Sequence, residues 1–528
     1  MISTPRAPQG RTLAELERCS QLAGTRLVGG GGERVVVDVT QDSRRVAPGA
    51  LFVARGGQAS DGRRFIADAL DQGAAAVLCE PGGVDVVPRL EAADLALAWA
   101  LTAHEVHGRP SRDIPVIGLT GTNGKTTVAC LIDRALQELE GRPARLGTLG
   151  FFIGEEKRAE TLTTPQPDDL ARYLREAVER GAHHVVMEVS SHALAQGRVL
   201  GVDFAVAAFI NLSQDHLDYH GTLEAYAAAK RKLLGDHAPG RRVINVDDPW
   251  GRRWAEEFRQ ELGDDAVLRV SARGDSTAEL HVEEWTQASA EDAGGTRQRA
   301  VESPGLRARV RVLGESVSLR SPLLGEHNLE NLLVALGCLV ALGFSGEAAA
   351  RALENAPAAP GRLERCDEAA DDVVVLVDYA HTPDALRRCL EALRGLGRPV
   401  TCLFGCGGDR DRAKRPLMGE VAVRLARRVV VTSDNPRTES PAAIIDDIRP
   451  GLAAAGPEVE IRVEPDRARA IEETLLTAEP GDVVLLAGKG HETHQILGDR
   501  VIDFDDRIHA RRALDARRAR RSSGEGRR

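Results

Sequence analysis

Four short apolar runs in the last third of the chain each stop at a polar cluster. VVVLV (373–377) meets DYAHTP, VTCLF (400–404) meets GCGGDRD, RVVVT (428–432) meets SDNPR, and DVVLLA (482–487) meets GKGHE. Such runs, separated by helix-length stretches, predict a parallel sheet, because strands covered by helices on both faces need no polar alternation. In such sheets ligands sit beyond the carboxyl ends of the strands. All four polar clusters stand there, so four charged loops are expected to converge on one crevice. One of them, Asp434, Asn435, Pro436 and Arg437, fixes an acid, an amide and a guanidinium around a proline.

The chain has 528 residues. At roughly 100–200 residues per domain, that predicts about three domains. Polar, Pro-containing stretches at RPSRDIP (109–115) and NAPAAPGRLE (355–364) divide it into 1–112, 113–358 and 359–528. A basic tail from about residue 515 has little apolar content and is expected to be frayed. TQASAEDAGGTRQRAVESPG (286–305) reads as a long loop between strands. Aromatics are only 3% of residues, so the cores must be built from Val, Leu, Ile and Ala. The net charge of −10 argues against nucleic acid as a partner. No apolar run approaches the ~18 residues of a membrane span. The segment MISTPRAPQGRTL has no signal-peptide core, so a cytoplasmic location is expected. The eight scattered cysteines, with no CxxC pair, read as reduced thiols.

The middle region opens with IPVIGLTGTNGKTTVACLIDRALQEL. Val128, Leu131, Ile132, Ala135, Leu136 and Leu139 fall on one face of a helix. A Gly-rich loop therefore joins a strand end to a helix N-terminus, the context a phosphate site needs. Gly121, Thr122, Asn123, Gly124, Lys125, Thr126 and Thr127 form that loop. Lys125 would reach the terminal phosphates, and the Thr126 hydroxyl would bind magnesium. The strict spacing asks for glycine where Leu119 stands, and a plain Gly-rich turn is the alternative.

Further along, VVMEVSSHAL (185–194) delivers Glu188 at a strand end, either as a second magnesium ligand or as a solvated carboxylate. Asp215, His216, Asp218 and His220 cluster densely enough for a metal or phosphate site, with zinc on His216 and His220 as an alternative. Lys230 lies in an Ala-rich helical stretch, where the bland reading is a surface lysine. Asn328 and Asn331 stand three apart at a helix start. They read either as an adenine-reading pair or, more simply, as a cap.

In this order the pieces resemble the Mur ligases, and within them the members that add the third peptide residue to the cell-wall precursor. The carrying stretches are GTNGKTT, MEVSSHALAQGRV, NLSQDHLDYHGTLEAYAAAK, GEHNLENLLVA, GRLE, DYAHTPDAL, FGCGGDRDRAKRPLMGEVA, DNPR and GKGHE, with DSRRVAPGALFVARGGQASDGRRFI near the start. They span roughly residues 20 to 510. The resemblance implies an α/β chain of three-domain Mur ligase architecture, with a central P-loop ATPase-like parallel sheet domain and a C-terminal Rossmann-like domain.

It also implies an ATP-dependent amide ligase of peptidoglycan synthesis, using UDP-N-acetylmuramoyl-L-alanyl-D-glutamate, ATP and Mg2+. Ser43, Gln58, Ala59 and Ser60 would hold the uridine end. Thr163, Thr164, Ser190, Gln196 and Arg198 would hold the muramoyl-dipeptide. Thr126, Glu188 and His216 would ligate one magnesium. Lys230 stands where the family carries a carbamylated lysine (N6-carboxylysine), an anion able to hold a second. Lys125, Glu188, His216 and Lys230 are thus the expected catalytic set. Asn328, Asn331, Arg362 and Asp378 would contact the nucleotide.

The same resemblance assigns DNPR to the members that add meso-diaminopimelate. Arg437 would fork onto the distal carboxylate, while Asp434, Asn435 and Glu492 accept from the ammonium. Arg410 would take the other carboxylate, with Pro436 and the Gly488 backbone completing the pocket. The alternative there is a capped turn with a local Asp–Arg ion pair. Leu162, where some members carry Asn, and His327, where an aromatic is common, depart from the pattern. Rival readings are a lysine-adding or folylpolyglutamate synthetase-like ligase, which DNPR opposes, and a non-catalytic nucleotide-binding module, which would not need so many charged loops.

Overall fold

Val116–Thr120, Val185–Glu188 and Val206–Phe209 are buried at every residue, as strands covered on both faces must be. They belong to a computed structural model that describes residues 10–56, 61–82, 84–237, 239–288, 305–368 and 370–522. The chain divides into two compact units, Met1–Ser271 with Val334–Ala349, and Ala272–Leu333 with Ala350–Arg528. No helix among the described residues is long and apolar enough to cross a membrane. All eight cysteines are free thiols.

In the first unit, parallel strands lie in the order Ala144–Gly147, Val185–Glu188, Val116–Thr120, Val206–Phe209, Arg241–Asn245, Val267–Ser271. The helix Lys125–Leu139 packs on the first three. It buries Val128, Leu131, Ile132, Ala135 and Leu136, the stripe its periodicity predicts. A smaller, mostly parallel sheet is built from Asp38–Thr40, Ala50–Ala54, Ala76–Cys79 and Arg89–Glu91, with Arg26–Val28 antiparallel at its edge.

The second unit confirms the opening pattern. Val374–Asp378, Val483–Ala487, Val400–Phe404, Arg428–Val431 and Glu460–Val463 form a parallel sheet in that order. Helices Pro383–Arg394, Lys414–Leu425 and Pro441–Leu452 bury Leu390, Met418 and Ile448 on one face. Arg467–Thr477 and Asp506–Ser522 bury Ile471, Leu475 and Leu514 on the other. Each such buried side chain contributes roughly 1.5–3 kcal/mol. Antiparallel strands Leu280–Ala288, Gly305–Val312 and Glu315–Ser321 also belong here. Most of the expected 286–305 loop lies outside the described residues, but Thr286–Ala288 are strand.

One expectation is overturned. The basic tail is helical to Ser522, not frayed from 515. Its arginines have partners that the local sequence does not reveal. Arg517 forks onto Asp372 (2.8 and 2.9 Å) and donates to the Leu475 carbonyl, and Arg518 reaches Glu368 and Asp371. Ala510, Ala513 and Leu514 supply the apolar face.

Candidate active site

The strand Val116–Thr120 ends in Gly121–Gly124, and the helix begins at Lys125. Gly124 has φ +89°, a backbone region open to glycine. No side chain caps this helix, so its first N–H groups and its dipole are presented to an anion. Asn211 braces the loop by accepting from the Asn123 N–H (2.9 Å) through its side chain and from the Thr122 N–H (2.9 Å) through its carbonyl. Lys125 Nζ donates to the Gly121 carbonyl (2.8 Å), and Lys230 Nζ donates to the same oxygen (2.7 Å). Lys230 is therefore not a surface residue; it is 1% exposed. Burial first, and then Lys125, push its pKa well below the usual range. Among the described residues no carboxylate forms an ion pair with it.

Thr126 Oγ1 donates to Glu188 Oε2 (2.9 Å), and Glu188 also accepts from the Thr148 N–H (2.9 Å) and hydroxyl (3.1 Å). The solvated-carboxylate reading is thus wrong: Glu188 is 1% exposed. Gly147 makes room for it, since a Cβ there would overlap Glu188 Oε1. The network continues outward. Thr163 Oγ1 lies 3.2 Å from Thr148 Oγ1, and Thr164 donates to the Glu188 carbonyl and accepts from the Ser190 N–H. Ser190 caps the short helix Ser191–Ala195. Arg198 donates to the Thr164 carbonyl (2.9 Å) and forks onto Gln196 Oε1.

His216 has φ +53°, and its ring is half exposed beside Asp215 Oδ2 (3.5 Å). It stacks edge-on to His192, with ring centroids 4.9 Å apart. His220 Nε2 lies 3.0 Å from Ser191 Oγ. Among the described residues no three His, Cys, Asp or Glu side chains form a metal cluster. Ser43 starts a short turn capped by Asp42. Gln58, Ala59 and Ser60 lie outside the described residues.

In the second unit the four polar loops do meet. Asn435 donates to Glu492 Oε2 (2.8 Å) and accepts from the Ile496 N–H and from Lys489 Nζ (3.2 Å). Lys489, fully buried, also contacts Glu492 Oε2 (3.1 Å) and stands 3.7 Å from Asp434 Oδ1. Burial pushes the Asp434 carboxyl up, and Arg467 and Lys489 oppose the shift. Gly488, at φ +115°, leaves space for Asp434 Oδ2.

Arg437 makes no pair with Asp434, contrary to the capped-turn alternative. It donates to the Gly408 carbonyl (2.8 Å), in the loop that carries Arg410. Pro436 is buried and Arg410 exposed. The ring of Tyr379 lies 5.3 Å from that of His491, and Lys414 donates to the His381 carbonyl. Asp378 accepts from the Leu363 and Ala380 N–H groups, and Arg362 sits 4.7 Å over Tyr379. Asn328 donates to the Leu324 carbonyl and Asn331 donates to Asn328 Oδ1. Asn328 is the third residue of the helix Glu326–Ala341, so neither amide is its cap. His327 is half-buried, and its desolvation lowers its pKa to about 4.

The chain is similar to known proteins over most of its length. The model for the Mur ligase middle domain matches residues 119–339. The Mur ligase glutamate ligase domain matches 361–490, and the Mur ligase family catalytic domain matches 36–109. A Pseudomonas aeruginosa protein named UDP-N-acetylmuramoyl-L-alanyl-D-glutamate--2,6-diaminopimelate ligase is 46% identical, covering 91% of this chain and 96% of its own length. Its namesake from Pseudomonas putida is 43% identical, covering 91% and 95%. A solved structure of a ligase with that name matches at a TM-score of 0.70 and 32% identity, covering 96% of this chain and 99% of its own.

The chain belongs to the Mur ligase family. It is a ligase with the α/β, parallel-sheet architecture of the three-domain Mur ligases. Two groups of this Mur ligase's residues escaped sequence reading. Lys489 lies inside GKGHE, where a buried cation beside two acids could have been suspected from the motif's own Lys and Glu three apart. Thr148 and Tyr226, which hold Glu188 and Thr122, carry no motif signal.

Proposed function

We propose that this Mur ligase joins meso-2,6-diaminopimelate to UDP-N-acetylmuramoyl-L-alanyl-D-glutamate, with ATP converted to ADP and phosphate. The observation carrying the substrate choice is the meeting of charged loops at the carboxyl ends of Arg428–Val431 and Val483–Ala487. There Arg437 and Arg410 offer guanidinium groups to carboxylates. Asp434, Asn435 and Glu492 offer oxygens to an ammonium. The names of relatives 43–46% identical support the same reading. Residues 1–112, 113–358 and 359–528 serve as the nucleotide-sugar, ATP and amino-acid parts, and the three family matches fall within them.

Gly121–Thr127 receive the ATP phosphates, with N–H groups and Lys125 neutralising their charge. Asn328, Asn331, Arg362 and Asp378 contact the nucleoside. Ser43 and the 58–60 loop hold the uridine, and Thr163, Thr164, Ser190, Gln196 and Arg198 hold the muramoyl-dipeptide. The dipeptide carboxylate attacks the γ-phosphorus, forming an acyl C–O–P bond as ADP leaves. The free amine of diaminopimelate then attacks the acyl carbon, phosphate leaves, and the nitrogen loses a proton.

The donor set fits Mg2+: a threonine hydroxyl already aimed at a buried carboxylate is hard-oxygen chemistry. Thr126, Glu188 and His216 would hold the ion, and Lys230 a second as its carbamate. Bound there, it supplies positive charge to the phosphates. Burial supports the carbamate, since a lysine kept neutral is able to add carbon dioxide. The cytoplasm, where nucleotide-linked precursors and ATP coexist, is the expected location.

The test is ADP release on mixing ATP, the UDP-linked dipeptide and one amino acid at a time. Release that requires meso-diaminopimelate supports the reading. Equal release with L-lysine, or release without any amino acid, refutes it.

A further inference from the structure

Behind the amino-acid pocket lies an ion pair that the chemistry above does not use. Arg467 and Asp506 are both fully buried, and they bond through two parallel contacts of 2.8 and 2.7 Å. The other guanidinium edges are spent on backbone. Nη1 donates to the Ser433 carbonyl (3.2 Å), and Nη2 to the Ala487 carbonyl (3.0 Å). Ser433 is the residue before Asp434, and Ala487 the residue before Gly488. One side chain therefore ties together the two strand ends that carry the acids of the pocket. Ser433 is tied a second time, its hydroxyl donating to the Pro465 carbonyl at the start of the turn that leads to Arg467.

The charges around this point count unevenly. Asp434, Glu492 and Asp506 are acids, and Arg467 and Lys489 are cations. Arg467 cancels Asp506, and Lys489 cancels one of the other two. Within this group around Asp434 one negative charge is left, the amount that a single ligand ammonium would balance, with Arg437 and Arg410 outside the count and facing the ligand carboxylates.

We propose that Arg467, held by Asp506, is a positioning residue for amino-acid selection: it fixes Asp434 against Gly488 and Lys489 so that one acceptor stays open to the ammonium. This inference rests on the proposed amino-acid pocket. It also ties the basic C-terminal helix, through its first-turn Asp506, to substrate choice.

Steady-state ADP release by the full chain tests it, with wild type, Arg467→Lys and Asp506→Asn. Each variant keeps a polar group in place but breaks the fork. The KM for meso-diaminopimelate is expected to rise at least about tenfold (about 1.4 kcal/mol), while the KM for ATP stays within about twofold. A purely structural role would instead lower the melting temperature and the active fraction, leaving every KM unchanged, and that result overturns the proposal. Should either variant fail to fold, the double variant Arg467→Met/Asp506→Leu takes its place, because apolar replacement of a buried pair is often neutral or stabilising. Wild-type KM for the amino acid in that folded double variant overturns the proposal too. A third reading needs no variant. Adding the amino acid to wild type should slow amide exchange in peptides covering 465–470 and 504–510, and slowing confined to 434–437 and 488–492 counts against it. Wild type that releases no ADP with meso-diaminopimelate refutes the proposed function instead. The same KM comparison then runs with whichever amino acid supports release.

Discussion

The Gly-rich loop of the first unit and the charged crevice of the second hold charge still by opposite means. Around Gly121 the scaffold is backbone and hydroxyl groups: carbonyls anchor Lys125 and Lys230, and Thr126 and Thr148 hold the one buried acid, Glu188. Around Asp434 it is ion on ion, with Lys489 and Arg467 buried beside Asp434, Glu492 and Asp506. The first arrangement presents uncapped helix N–H groups and Lys125, suited to an anion. The second leaves one excess negative charge beside the guanidinium of Arg437, suited to a zwitterion. Neutral donors are cheap to bury once hydrogen-bonded, whereas buried ions repay their desolvation only when every partner is present. The pocket should therefore be the more brittle of the two in selectivity, and the loop the more critical in turnover.

Substitutions can break that contrast, from the largest effect down. Glu188→Ala should lower kcat by about 10³-fold or more with the fold intact. Near-normal ADP release at saturating Mg2+ would remove Glu188 from the chemistry. Lys230→Ala should be nearly inactive and partly restored by millimolar short carboxylic acids; an assay series with acetate and chloride controls reads this directly. In Arg437→Ala the preference for meso-diaminopimelate over L-lysine should collapse. Truncating one partner of a charge pair that the bound ligand closes to water costs about 2–5 kcal/mol, which is roughly 30- to several-thousand-fold in kcat/KM at ~1.4 kcal/mol per tenfold. Equal losses with both amino acids would mean that Arg437 does not read the distal carboxylate.

Smaller effects sharpen the comparison. Lys489→Met should raise the KM for the amino acid by about tenfold while the KM for ATP stays put, a split that initial-rate kinetics will resolve. Arg517→Ala, on the last helix, removes three hydrogen bonds, to Asp372 and the Leu475 carbonyl, neither of them a candidate site residue. It should cost about 1.5–3 kcal/mol in urea unfolding and leave kcat/KM unchanged.

Much of this was legible in the chain. Short apolar runs ending at Val377, Phe404 and Ala487 announce the parallel sheet, because burial on both faces leaves no alternation to confuse the signal. The Gly-rich joint between strand and helix was legible too, since it lies within seven consecutive residues. The rest depends on partners far along the chain. Lys230 looks like any lysine in an Ala-rich helix until Gly121, 109 residues earlier, arrives over it. Arg467 meets Asp506 across 39 residues, and the tail's arginines meet Asp372 across 145. Local composition called that tail unstructured because composition does not see counter-charges.

The order of the C-terminal sheet also sets a schedule for its synthesis. Val483–Ala487 lies between Val374–Asp378 and Val400–Phe404 and pairs with both. Those two strands leave the ribosome with an edge open, and the strand that fills the gap follows about 80 residues later. At roughly 5–20 residues per second, two apolar edges wait about 4 to 16 seconds for their shared neighbour. Open edges of that kind are sites of misassociation between chains. The growing chain thus carries two unpaired edges through that interval, until Val483–Ala487 closes both at once.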